Sequence, residues 1–180
     1  MYPHLSPHGL VFELQRQPLR QLPAESVTKD QEYWRKFVGE MIGDWITDKT
    51  PVRDICEFGE KTYLRKDLNG FKGNAAFARS KEAQKCFSKL RSSIAGIYVW
   101  RMEHSKDEDE KEQMRRAADM AFCQAYALCP YSPEALFRYC QLLVNRKRFD
   151  KAILIAKTSQ RFDPESAQLK ELINSLRKWE

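Results

Sequence analysis

Histidine is the side chain that most often binds metals or moves protons, and this 180-residue chain has only three. His4 and His8 lie in a proline-rich stretch with no third ligand nearby, and His104 adjoins an acidic run. A zinc site needs three or four ligands, so we expect no metal site. We predict no catalytic residue, no metal and no cofactor, and therefore a protein that is not an enzyme.

The five cysteines contain no Cys-x-x-Cys pair. Most of them fall within apolar helical patterns, where a free thiol acts as a small hydrophobic side chain and is a poor partner for a catalytic histidine. An odd number of thiols is typical of a reducing compartment rather than of a disulfide framework. The cysteines are Cys56, Cys86, Cys123, Cys129 and Cys140.

Three lysines at four-residue steps, Lys81, Lys85 and Lys89, form a basic stripe on one side of a predicted helix. The net charge is +6, and residues 61–101 hold ten Lys or Arg against two acids. Such a stripe can bind phosphate groups, but no aromatic side chains interleave with the lysines for base stacking. A solvated helix face is therefore the favoured interpretation, and binding of nucleic acid or another polyanion is an alternative.

The sequence predicts neither a transmembrane span nor a signal peptide. The longest stretch without Asp, Glu, Lys or Arg runs from Met120 to Pro133, which is shorter than the ~20 apolar residues that a bilayer requires. The first residues lack a basic segment followed by an apolar run. The expected location is the cytoplasm, with tethering to a membrane as the alternative if the natural chain extends upstream.

Apolar residues recur at three- and four-residue steps along most of the chain, which predicts an all-α fold of about seven helices. Residues 1–28 are predicted to form an extended, proline-rich arm, in which Gly9 to Leu14 is either a short strand or an extended segment along the helical body. Residues 29–178 are predicted to form one helical domain, with a helical pair over 29–73 and helical hairpins over 80–178.

The carboxyl-terminal half resembles itself at a separation of 34 residues. A helix-turn-helix unit of this period cannot bury its apolar face alone, so copies must stack on one another. Small residues are needed where the two helices of a unit cross, and proline is tolerated in the turn to the next unit. The agreeing pairs are Ala118 and Ala152, Ala125 and Ser159, Leu128 and Phe162, and Pro130 and Pro164.

Residues 133–164 resemble one unit of the tetratricopeptide repeat (TPR) family, and the resemblance extends over residues 83–178, about half of the chain. Cys140 stands where the family usually has glycine or alanine, and Lys147 lies near the place of a glycine. The resemblance implies stacked helical hairpins, a last helix that caps the array, and a non-enzymatic function in protein–protein interaction. The large apolar positions of the first helix are Leu136, Tyr139 and Leu143.

The same resemblance implies that the inner face, lined by the first helix of each unit, is the binding surface. The partner is expected to be a protein or peptide of unknown identity. Two of the candidate residues, Phe137 and Val144, have an alternative role in packing against neighbouring helices. The clamp of Lys and Asn residues by which some family members hold a peptide carboxylate is not reproduced. The candidate residues are Phe137, Arg138, Gln141, Val144 and Asn145.

A second resemblance rests on Met1 to Leu10, Leu90 to Ser93 and Ala127 to Ala135. These segments are similar to the soluble carboxyl-terminal region of bacterial multi-pass membrane proteins that resemble protein mannosyltransferases. The resemblance implies an accessory tail of such an enzyme, detached or separately encoded, for which Met1 is not the natural start. The catalytic residues of those proteins lie in the membrane part, so none is carried over.

Overall fold

A computed structural model of the chain describes residues 1–179 and confirms the all-α prediction. Within these residues, eight helices account for most of the fold, and one small two-stranded sheet is added at the amino terminus. A π-helical turn, Glu60–Leu64, extends the second helix. The helices are α1 (Ala24–Ile42), α2 (Val52–Gly59), α3 (Ala75–Arg79), α4 (Lys81–His104), α5 (Glu108–Leu128), α6 (Pro133–Asn145), α7 (Phe149–Phe162) and α8 (Ala167–Arg177).

The extra helix is α3, which follows the loop predicted at residues 69–74. The side chain of Asn74 accepts hydrogen bonds from the backbone N–H groups of Ala76 (2.9 Å) and Phe77 (3.1 Å). Such a cap satisfies N–H groups that a helix start leaves without partners. The first helix also begins at Ala24, five residues before the predicted boundary at Lys29.

The amino-terminal arm contains an antiparallel hairpin of β1 (Leu5–His8) and β2 (Val11–Leu14). The single strand expected between Gly9 and Leu14 therefore finds its partner in the residues that precede it. Gly9 turns the chain with φ +61°, a conformation that glycine adopts without steric cost. Strand β1 lies against α1 and α4, and Trp34 Nε1 of α1 donates to the Gly9 carbonyl at 3.1 Å.

Two buried side chains attach the arm to the helical body. The guanidinium of Arg101 donates to the carbonyl oxygens of Leu19 (2.8 Å) and Pro3 (2.9 Å). The carboxylate of Glu110 accepts from the backbone N–H of Leu22 at 3.0 Å. Because the irregular arm has few internal partners for its backbone, these bonds fix its path across the end of α4.

A buried ion pair joins α1 to α4. Arg91 donates to Asp30 Oδ2 at 2.7 Å, and neither side chain is accessible to solvent. Arg91 also donates to Gln124 of α5 (2.8 Å), while the hydroxyl of Tyr98 donates to Asp30 (2.6 Å). A buried charge is tolerated only with such partners, so this cluster sets how the three helices sit together.

Helices α4 to α8 form consecutive hairpins. Helix α4 packs along α5, α6 packs on α7, and α8 returns against α7. Ala118 and Ala152 are both fully buried, as are Ala125 and, nearly, Ser159. Within residues 80–179 the structure contains no strand. The positions that agree at 34 residues in the sequence therefore occupy equivalent crossings in the fold.

The first helices of the two hairpins run parallel. The hydroxyl of Ser92 faces the carbonyl of Glu134, and one turn later Gly96 faces Arg138, so both helices advance in the same direction. Helix α2 packs against α5 and α7 on the other side. The second helices are thereby covered, and the faces of α4, α6 and α8 remain open.

Candidate functional site

The open face contains a groove between α4 and α6 with a volume of about 320 Å³. Its two walls are stripes of residues at three- and four-residue steps, which is the spacing that places side chains on one helix face. Buried Phe122 of α5 and Leu142 of α6 form part of its floor. The α4 wall consists of Gly96, Val99, Trp100 and Glu103, and the α6 wall includes Arg138, Gln141 and Asn145.

Arg138 lies exposed at one end of the groove, against Gly96. A Cβ atom at Gly96 would lie 3.3 Å from Arg138 Nη1, which is closer than ordinary contact. Glycine therefore makes room for the guanidinium next to α4. Within residues 1–179, Arg138 has no salt-bridge partner, so its five donors remain available to an anion.

Two amide side chains continue along the α6 wall. Gln141 Nε2 donates to Asn145 Oδ1 at 2.8 Å, a bond between successive turns of the helix. This bond leaves the Gln141 carbonyl oxygen and the Asn145 amino group free to pair with another molecule. One acceptor and one donor side by side match the N–H and C=O groups of an extended peptide backbone.

The far end of the groove is aromatic. The rings of Tyr2 and Trp100 stack with centroids 6.0 Å apart and an angle of 7°, and Trp100 stacks on His104 at 4.3 Å. Tyr2 comes from the amino-terminal arm, which Arg101 holds in place. Analysis of the sequence missed Tyr2 and Trp100 because nothing local relates residues so far apart in the chain. The apolar step from Val99 to Trp100 was the only signal for the α4 wall.

The five candidate residues of α6 are divided between two surfaces. Arg138, Gln141 and Asn145 share the groove with α4, whereas Phe137 lies in a shallower groove of about 610 Å³ beside Leu172 of α8. Val144 is partly buried and packs against the core, and Phe137 also contacts it. The packing alternative thus describes Val144, and Phe137 contributes to both packing and surface.

The basic stripe is exposed, as its spacing indicates, but its surroundings carry less positive charge than the sequence suggests. Lys89 Nζ lies 3.5 Å from the carboxylate of Glu134. Arg91 and Arg101, two of the ten basic residues counted between 61 and 101, are buried and bonded internally. Lys81 and Lys85 remain exposed on α4. Polyanion binding by this stripe stays a prediction.

Four of the five cysteines are buried, and Cys86 is exposed on α4. Loss of hydration raises the pKa of Cys56 to about 11 and the pKa values of Cys123, Cys129 and Cys140 to about 12. These four thiols are therefore protonated at neutral pH and poor nucleophiles. Within residues 1–179, no three His, Cys, Asp or Glu side chains are grouped so as to hold a metal ion.

None of the described helices combines the length and the apolar character needed to cross a membrane.

Comparisons of the chain with protein families, with curated proteins and with solved structures give no match. The resemblances to the TPR family and to the mannosyltransferase-like membrane proteins therefore remain predictions from the sequence. What can be said of function rests on the groove itself.

Proposed function

We propose that this chain is a non-enzymatic, TPR-like helical-repeat module that binds an extended segment of another protein in the groove between α4 and α6. The observation that carries the proposal is the unpaired guanidinium of Arg138 at one end of an open groove, in line with the free amide groups of Gln141 and Asn145.

The repeat geometry supports this proposal. The parallel helices α4 and α6 are separated in sequence by more than the 34 residues that separate Ala118 from Ala152, because the acidic connection after α4 lengthens the first unit. Helix α8 again runs beside α6, with Phe137 near Leu172. Stacked helical hairpins expose a continuous face of first helices, and such concave faces suit extended ligands.

The groove also specifies the chemistry of the bound segment. A carboxylate of the partner pairs with Arg138 in a charge-assisted bond. Its backbone N–H and C=O groups bond the amides of Gln141 and Asn145, and an apolar side chain lies against Val99 and Trp100. Glu103 at the other end favours a basic or neutral residue there. The expected ligand is therefore an extended peptide with an acidic residue at one end.

A selection from random linear peptides displayed on phage, with the full chain as bait, tests the proposal. We expect the selected peptides to share an acidic residue next to an apolar one. Because a bond to a charged group contributes about 1.5–3 kcal/mol, Arg138→Ala should weaken their affinity by about tenfold or more. Fluorescence anisotropy of labelled peptides measures this loss.

Lys157→Ala is the matched control, since Lys157 is also an exposed cation but lies on α7, away from the groove. It should leave the affinity unchanged, and Asn145→Ala should give an intermediate loss. Equal binding of the selected peptides to the Arg138→Ala variant and to the unmodified chain would reject the groove as the site.

A further inference from the structure

The strand β2 at the amino terminus is the most exposed regular element of the described chain. All four of its residues are accessible, including Val11 with 61% and Leu14 with 70% of the side chain exposed. Exposed apolar residues on an edge strand are uncommon because such an edge pairs with other chains. This edge lies apart from the groove residues of α6 and concerns a different surface.

The register of the hairpin determines which backbone groups face outward. Gln15 N–H donates to the His4 carbonyl at 2.8 Å and extends the ladder in which Leu5 faces Leu14. Hydrogen-bonded and non-bonded pairs alternate along an antiparallel ladder. The N–H and C=O groups of Phe12 and Leu14 therefore point away from β1, and within residues 1–179 they have no backbone or side-chain partner.

The two edges of the hairpin differ in their protection. Pro7 of β1 occupies a non-bonded position and has no N–H to offer, and β1 is covered by α1 and α4. Strand β2 contains no proline or lysine, and both of its outward residues keep their N–H. The hairpin is thus closed on one edge and open on the other, a condition that suits addition of one more strand.

A second copy of the chain is a poor occupant of this edge. Only one antiparallel register bonds Phe12 and Leu14 of both copies, and it places Glu13 directly opposite the same residue of the partner. Like charges that face each other across strands are destabilising. Glu13 faces the neutral Ser6 within the hairpin and has no ion-pair partner among residues 1–179.

We propose that β2 receives an extended segment of a partner protein as a third strand, and that this segment carries a Lys or Arg between two apolar residues. The basic residue lies opposite Glu13. The two apolar residues lie on the same face as Phe12 and Leu14 and form the hydrogen-bonded pairs with them. The backbone groups provide attachment, and the central charge provides selection.

The experiment uses the full chain labelled with ¹⁵N and a capped probe peptide that contains Thr-Val-Lys-Val-Thr. We expect the amide signals of Phe12 and Leu14 to shift on titration up to about 1 mM peptide, and their hydrogen exchange to slow. A peptide with Glu in place of the central Lys should bind about fivefold more weakly, and Glu13→Lys should reverse this preference.

Leu14→Pro removes one outward N–H but no bond of the hairpin, and should abolish binding, whereas Leu14→Thr should retain it. The amide of Gln15 reports whether the hairpin persists in each variant. Equal affinity for the two peptides, absence of shifts at the highest concentration, or shifts confined to other residues would each overturn the proposal. Dimerisation through β2 in sedimentation experiments would overturn the choice of a different partner.

Discussion

Lys147 illustrates how a single residue can depart from a pattern and still keep the backbone of that pattern. It has φ +55° at the end of α6, a conformation that favours glycine. The backbone N–H of Arg148 donates to the Leu143 carbonyl at 2.9 Å, which is the bond that closes a helix beyond a left-handed residue. The lysine therefore adopts the geometry of the glycine that the TPR resemblance leads one to expect nearby.

We predict that Lys147→Gly stabilises the protein by about 0.5–1 kcal/mol. The left-handed conformation costs a residue with a Cβ atom about 1–2 kcal/mol, and part of this gain is offset by the greater freedom of glycine in the unfolded chain. Urea unfolding followed by circular dichroism measures the difference. Lys157→Gly, in the interior of α7, is the control and should destabilise by about 1 kcal/mol; similar effects of both variants would contradict the argument.

At the level of elements, the ends of the helices are set by side-chain caps. Asp107 precedes α5 and accepts from the backbone N–H groups of Asp109 (2.9 Å) and Glu110 (3.2 Å). These bonds, followed by the bond from Gln21, lower the pKa of Asp107. The acidic run at residues 105–110 thus contains both the cap and the first turn of α5, where negative charge opposes the helix dipole.

Asp107→Ala should lower the melting temperature at pH 7 by a few degrees, because the cap and its charge are lost. A carboxylate whose pKa is lowered by folding stabilises above its unfolded pKa, and this contribution disappears as the pH falls through the folded pKa. The difference between variant and unmodified chain should therefore shrink below about pH 4. Asp109→Ala, which removes a carboxylate of the same turn without a side-chain hydrogen bond, should have a smaller effect at pH 7; an equal effect would argue against the cap.

At the level of the whole molecule, the amino-terminal half decides which face of the hairpins is available. Helix α2 covers α5 and α7, and the arm crosses the end of α4 to place Tyr2 on Trp100. The buried Asp30–Arg91 pair links these two halves. The groove between α4 and α6 therefore depends on contacts between segments that are distant in sequence.

Asp30→Ala is expected to destabilise the protein by about 3–5 kcal/mol, because it leaves Arg91 charged and unpaired in the core. Combined replacement by Asp30→Leu and Arg91→Met removes both charges and should cost clearly less than the sum of the two single replacements. Chemical denaturation of the three variants gives the coupling free energy. Additive losses would show that the two side chains act independently and that the pair does not join the halves.

The periodic positions of the sequence were sufficient to predict the helical hairpins and three residues of one groove wall. Ala118 and Ala152 indicated equivalent helix crossings, and Arg138, Gln141 and Asn145 share a face because they lie three or four residues apart. The second wall was not predicted as part of the site, since the alignment of α4 with α6 depends on packing. Arg91 was counted with the basic surface because only its neighbour in space, Asp30, marks it as buried.

The sequence by itself determined the fold class and most helix positions, because helical periodicity and capping are local properties of the chain. Tertiary structure decided which faces stay open, which charges are buried, and that the arm forms a hairpin with one free edge. These features depend on contacts between residues such as Tyr2 and Trp100 or Asp30 and Arg91, whose separation along the chain leaves no periodic signal.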